Sequence, residues 1–102
     1  MIDWANFTGF EWDDGNARKS EAKHGVSQAE AEQVFFNQPL IILEDGRHSR
    51  HEQRFNAMGI TEDARWLHIT FTLRNVGTLI RVISARDMHR KEKTLYEQIV
   101  QI

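Results

Sequence analysis

Hydrophobic and polar positions alternate most regularly over residues 66–74, where Leu67, Ile69, Phe71 and Leu73 interleave with Trp66, His68, Thr70 and Thr72. A two-residue period of this length predicts a strand with one face in a core and the other available. Arg54–Ile60 reads as a second strand, joined to the first by the polar link 61–65. Residues 78–86 read as a third, reached through a short hairpin loop of Asn75, Val76 and Gly77 in which glycine can take positive φ. Together they predict an antiparallel meander.

The flanking segments carry helical signals. Phe10, Glu11 and Trp12 alternate as a short strand, after which Asp13 and Asp14 cap a helix that ends with Lys23 and His24 before Gly25. Ser27 and Glu30 form a capping box for a second helix, whose Ala31, Val34 and Phe35 recur at helical spacing until Asn37 and Pro39 stop it. Residues 40–43 read as a further strand, and 44–52 as a polar loop with a basic centre. Asp87 is placed to cap a last helix with an apolar stripe of Met88, Leu95, Ile99 and Ile102. The reading is one α+β domain over residues 1–102, with two N-terminal helices and a C-terminal helix on a small, mainly antiparallel sheet. Residues 1–9 show neither period and are expected to form an irregular extension.

Composition narrows the chemistry. There is no cysteine, which excludes disulfides, thiolate metal sites and a cysteine nucleophile. No apolar run approaches a membrane span and the N-terminus lacks a secretory signal, so a cytoplasmic protein without membrane contact is expected. The net charge of −2 conceals a polarity: residues 1–46 sum to −6 and residues 47–102 to +4. A basic second half suggests a surface that meets an anion, with nucleic acid the first candidate.

The stretch 78–91, TLIRVISARDMHRK, places two arginines in an apolar strand. By strict alternation Arg81 shares a face with Leu79, Ile83 and Ala85, and Arg86 with Ile80, Val82 and Ser84, so the two guanidiniums are predicted on opposite faces. The wider basic set is Arg47, His48, Arg50, His51, Arg54, Arg81, Arg86, His89, Arg90 and Lys91. Cleavage of RNA through its own 2′-hydroxyl needs a base near that hydroxyl, cations for the charge on phosphorus and an acid for the leaving 5′-oxygen. Arg81 suits a phosphate clamp, since a guanidinium is always charged and grips two oxygens together. Equally, it suits an ion pair with an acid such as Glu52. Glu52 fits a general base or a residue that orients an arginine, and Arg54, two positions on, shares its face. His51 and His89 are candidate proton donors, while His24 fits a helix C-cap.

His48, His51 and Glu52 are metal-ligand types, but their spacing suits a helix better than a loop and the flanking arginines repel a cation; no metal is expected. Among the aromatics, Trp12 and Trp66 read as core or rim, and Tyr96, off the apolar stripe, is retained as a residue that can stack on a base. A noncatalytic nucleic-acid or protein-binding module would use the same arginines for docking alone, and a protein-interaction role without RNA is a third reading.

Several segments in order carry a resemblance: FEWD at 10–13, KHGVS at 23–27, AEQVF at 31–35, NQPL at 37–40, the Glu52-x-Arg54 pair with Gly59, and RVISAR at 81–86 followed by RKE and Tyr96. From residue 10 to about 97 the chain resembles the BrnT family of toxins from bacterial type II toxin–antitoxin systems. The resemblance implies a RelE-like fold and a ribonuclease that cuts RNA and blocks translation without a metal or other cofactor. It also implies a BrnA-like antitoxin with a ribbon-helix-helix DNA-binding region, the complex acting on operator DNA. The matching functional positions are Glu52, Arg54, Arg81, Arg86 and Tyr96. RNA contacts are expected from Arg47, Arg50, His51, His89, Arg90 and Lys91. Four positions depart from the family pattern: Asn16 and Ser20 stand where lysine and asparagine are common, Gln28 replaces a phenylalanine, and Phe71 replaces a histidine or tyrosine. The last would leave a proton or hydrogen bond to be supplied by His68, Tyr96 or His89.

Overall fold

The computed structural model describes residues 2–47 and 52–101. A 3₁₀ turn, Trp4–Asn6, precedes β1 (Gly9–Phe10), α1 (Lys19–His24), α2 (Gln28–Phe36), β2 (Ile41–Glu44), β3 (Arg54–Ile60), β4 (Trp66–Arg74), β5 (Leu79–Asp87) and α3 (Arg90–Val100). The strands form one sheet in the order β1-β5-β4-β3-β2. The predicted meander is its centre: β3, β4 and β5 pair antiparallel, β2 adds antiparallel to β3, and β1 lies parallel to β5. An α+β class with a mostly antiparallel sheet therefore stands.

One face of the sheet carries the main core. Phe55, Ala57, Leu67, Ile69, Phe71, Ile80, Val82 and Ala85 are buried there with Val26 from the α1–α2 link and Ala31 and Val34 from α2. Gly59 makes the docking of α2 possible, since a Cβ at that position would stand 2.8 Å from Val34 Cγ1. At the junction of the helices, the capping box of Ser27 and Glu30 is present, and Gly25 ends α1 with φ of 67°. Phe71 packs between Phe35 and Phe55 on this face, so the position singled out by its departure from the family pattern points into the core, away from the polar side of the sheet.

The second face is shared. Met58 and Met88 are buried with Tyr96 of α3, against Ile41, Ile60, Trp66 and Val100, so the C-terminal helix covers one end of this face. This reverses part of the reading of α3. Tyr96, expected off the apolar stripe, is its innermost residue at 0 % exposure, whereas Leu95 and Ile99 are exposed at 40 % and 44 %. The helix begins later than expected, after His89, and Asp87 binds Arg65 instead of capping it.

Two other segments differ from expectation. Residues 2–10 are ordered against the core: Ile2, Phe7 and Phe10 pack on the main cluster, and Thr8 and Glu11 donate backbone bonds to Thr78 and Ile80 of the β5 segment. The first helix starts at Lys19 and not at Asp13, because residues 13–18 turn tightly so that the Asn16 amide can donate to Glu11 O at 3.0 Å and Val82 O at 2.8 Å. Ser20 Oγ accepts from Ala85 N at 2.8 Å. Beyond its two-residue pairing with β1, the outer edge of β5 is thus satisfied by Asn16 and Ser20 in place of a strand.

Candidate functional site

A β-bulge sets the site. Phe71 pairs with Val82 and Thr70 with Ser84, leaving Ile83 as the extra residue in β5. The insertion shifts the phase of the strand by one, so Val82 and Ala85 both face the core while Arg81, Ser84 and Arg86 all face the opposite side. Strict alternation predicted the two arginines on opposite faces; the bulge puts them on the same one.

Directly opposed residues of an antiparallel pair share a face, so the register writes out this surface in rows. Arg54, Thr72 and Arg81 form one row, Leu43, Asn56, Thr70 and Ser84 the next, and Ile41, Met58, His68 and Arg86 a third. Successive rows are about 7 Å apart along the strands. The third row runs under α3; the first two lie beyond it.

At the open end, charges alternate in a chain. Arg81 Nη1 donates to Glu11 Oε1 and to Asp13 Oδ2, both at 2.9 Å, and Nη2 donates to Asp13 Oδ1 at 3.0 Å. Arg74 lies 3.7 Å from the same Glu11 oxygen through Nε and donates through Nη1 to Glu52 Oε2. The sequence Asp13, Arg81, Glu11, Arg74, Glu52 therefore interleaves three carboxylates with two guanidiniums. The hydrogen bond from Arg81, with help from Gly15 N, holds the Asp13 carboxyl below its ordinary range, and its carboxylate partners raise Arg81. Arg81 is only 16 % exposed while Asp13, at 57 %, faces water. The ion pair foreseen for Arg81 exists, but its partners are Glu11 and Asp13; Glu52 belongs to Arg74.

At the α3 end, Arg86 makes a fork to Glu92 with bonds of 2.8 and 2.9 Å, and Glu92 Oε1 also accepts from His89 N at 2.8 Å. His68 Nε2 approaches Glu92 Oε2 at 3.6 Å. Burial alone would raise Glu92, but the Arg86 and His89 bonds and the neighbouring positive charges outweigh it and hold its pKa at about 2. Burial lowers His68, which keeps the imidazole neutral near pH 7. Arg86 fastens β5 to the start of α3.

Of the residues named from sequence, Glu52, Arg54, Arg81 and Arg86 come to one surface, with the first three at its open end. Tyr96 does not join them. It is buried between α3 and the sheet, packs edge-on against Trp66 at 5.2 Å and donates its hydroxyl to Pro39 O; burial raises its pKa. Trp12 donates to Glu32 at 2.7 Å, so it too is occupied within the fold. His89, Arg90 and Lys91 are exposed at the start of α3 and Arg47 at the end of the described part of its loop; His48, Arg50 and His51 lie outside the described residues.

Sequence reasoning missed Glu11, Arg74 and Arg65. Glu11 follows β1 and Arg74 ends β4, and their partners were unknown until the register was set. Arg65, assigned to a polar link, holds Asp87 at 2.7 and 3.0 Å, Glu30 at 3.1 Å and Gly25 O at 2.9 Å, tying the α1–α2 junction to the ends of β4 and β5. A lone arginine in a polar loop carries no signal of such a role.

A family model described as "Ribonuclease toxin, BrnT, of type II toxin-antitoxin system" matches residues 12–92, which takes in both charged clusters apart from Glu11. Comparison with curated proteins gives no match.

Proposed function

The chain belongs to the BrnT family of ribonuclease toxins of type II toxin–antitoxin systems, and we propose that it cuts RNA on the open end of the polar sheet face, without a metal, so as to block translation. The observation that carries this reading is the alternating chain from Asp13 to Glu52 on an uncovered part of the sheet. The Asp13 carboxylate occupies the fork of Arg81, a place a phosphate can take instead, since two of its oxygens can accept from the same pair of N–H groups.

In the proposed reaction an RNA phosphate replaces Asp13 on Arg81 and draws on Arg54 and Arg74 for further charge. As Arg74 turns to the phosphate, Glu52 is released to take the proton of the 2′-hydroxyl. That oxygen attacks the neighbouring phosphorus, the 5′-oxygen leaves with a proton, and the products are a 2′,3′-cyclic phosphate and a 5′-hydroxyl. His51, next to Glu52 in the chain, is assigned as the acid. His68 and Arg86 stand two rows from Arg81, roughly 14 Å along the strands, too far to act on the same phosphorus; they and the exposed His89, Arg90 and Lys91 serve flanking nucleotides, as do Arg47 and Arg50. Tyr96 has no part in it.

The fold is assigned as RelE-like. The partner is an antitoxin, of BrnA-like ribbon-helix-helix type, through which the complex reaches operator DNA, and the site of action is the cytoplasm. Incubating the purified protein with end-labelled RNA in excess chelator tests the reading: fragments ending in 2′,3′-cyclic phosphate are expected, and absence of cleavage both alone and on translating ribosomes would overturn it. The double pairing of Arg81 favours one other reading, in which the arginines are structural and the surface is a noncatalytic docking module. In that case Arg81→Ala unfolds the protein without a separable effect on RNA.

A further inference from the structure

The row between the two charged clusters has no assigned role. It runs across four strands as Leu43, Asn56, Thr70 and Ser84. None of its members is charged, and Asn56, Thr70 and Ser84 are partly exposed while Leu43 is 43 % exposed. Between the arginines the row offers an apolar ledge at one end and neutral hydrogen-bonding groups along the rest.

The polar groups are set in a defined way. Thr70 Oγ1 donates to Asn56 Oδ1 at 2.9 Å, which fixes the amide so that its nitrogen is the group left to donate. Among the described residues, neither the Asn56 amide nitrogen nor the Ser84 hydroxyl has a hydrogen-bond partner. Ser84 faces this side only because of the extra residue Ile83; without the bulge its side chain would turn to the core.

Spacing then limits what can lie there. The row is about 7 Å from Arg54, Thr72 and Arg81 on one side and about 7 Å from His68 and Arg86 on the other. A nucleotide whose phosphate is held on the Arg81 side has its base within reach of this row, and the neighbouring phosphate is directed towards Arg86. The surface of Leu43 suits the face of a base, and an amide that presents a donor beside a half-used acceptor suits its edge. We propose that Asn56, with Leu43 beside it on the neighbouring strand, forms a nucleobase-reading subsite for one nucleotide of the RNA, Asn56 determining which base is preferred and Ser84, two strands away, meeting the outer part of the same nucleotide or its neighbour.

This rests on the RNA reading above, and the test separates the two. Binding of the four nucleoside 3′-monophosphates to the purified full chain is measured by titration, alongside sequencing of the ends produced from a randomised RNA pool. Wild-type protein is expected to rank the four nucleotides unequally and to cut with a base preference at one position beside the scissile bond. Asn56→Ala is expected to reduce that discrimination by roughly tenfold, and Ser84→Ala to alter it less, with thermal unfolding recorded to show that both variants fold. Equal binding of the four nucleotides by the wild type, or an unchanged ranking in folded Asn56→Ala, overturns the subsite. If the ranking depends on Asn56 but no RNA is cut, the subsite stands and the ribonuclease reading fails.

Discussion

Arg81 and Arg86 face the same side of β5, although they stand five positions apart, because Ile83 is the extra residue of a bulge opposite the Thr70–Phe71 step. A five-residue separation in an unbroken strand puts side chains on opposite faces. The bulge therefore assembles the polar surface, and it does so beside the two buried side chains, Asn16 and Ser20, that bind the backbone of β5 at Val82 and Ala85.

Removing the guanidinium at the open end should separate chemistry from stability. Arg81→Ala is expected to lower RNA cleavage at least a hundredfold while costing about 1 kcal/mol of stability, since Asp13 returns to water and Glu11 keeps Arg74. Arg81→Lys should fall between, keeping the charge and losing the fork. Single-turnover cleavage and urea unfolding check both numbers; a loss of 3 kcal/mol or more would assign Arg81 to structure.

Asp13 competes with phosphate for Arg81, and its carboxyl is held in the charged form by that same arginine. Asp13→Asn is accordingly expected to tighten RNA binding several-fold and to leave Gly15 N with an acceptor. Fluorescence anisotropy with a labelled oligonucleotide at fixed salt would show it. Weaker binding would mean that Asp13 positions Arg81 for its ligand.

Acid should loosen the link between β5 and α3. The Arg86 and His89 bonds hold Glu92 at about 2 in the fold against 4.5 for an ordinary glutamate, so its contribution to stability is complete above pH 4.5 and is lost as pH falls towards 2. After allowance for partial exposure this amounts to on the order of 2 kcal/mol. Glu92→Gln is expected to flatten the stability profile over that window, measured by denaturant midpoints at a series of pH values; an unchanged slope would remove Glu92 as the cause.

The hydroxyl of Tyr96 is a structural donor. Tyr96→Phe leaves Pro39 O without it in a buried setting and should cost about 1–2 kcal/mol, with RNA cleavage by the folded fraction unchanged. A fall in cleavage at constant fold would return Tyr96 to the site.

Val76 has φ of 54° and a fully exposed side chain at the hairpin between β4 and β5. A β-branched residue is strained in that region, and asparagine tolerates it. Val76→Asn is therefore expected to stabilise the protein by about 0.5–1 kcal/mol, visible as a higher unfolding midpoint.

Local pattern alone determined much of the architecture. β3 and β4 begin and end where their alternation does, α2 runs from its capping box to Asn37, and the meander order follows from short loops. These features depend on contacts between near neighbours, which a sequence displays directly. Its charge polarity likewise marked the arginines of the second half. What tertiary structure decided was which partners those arginines have and which way they point. Pairing of Arg81 with Glu11 and Asp13 joins residues about seventy positions apart, and Arg74 meets Glu52 only after β3 and β4 are in register. The bulge at Ile83 depends on how β5 fits against β4 and α1, and one added residue reverses every side chain beyond it. Tyr96 became core for a related reason: its packing on Met58 and Trp66, with its hydroxyl on Pro39 O, chooses which side of α3 is buried.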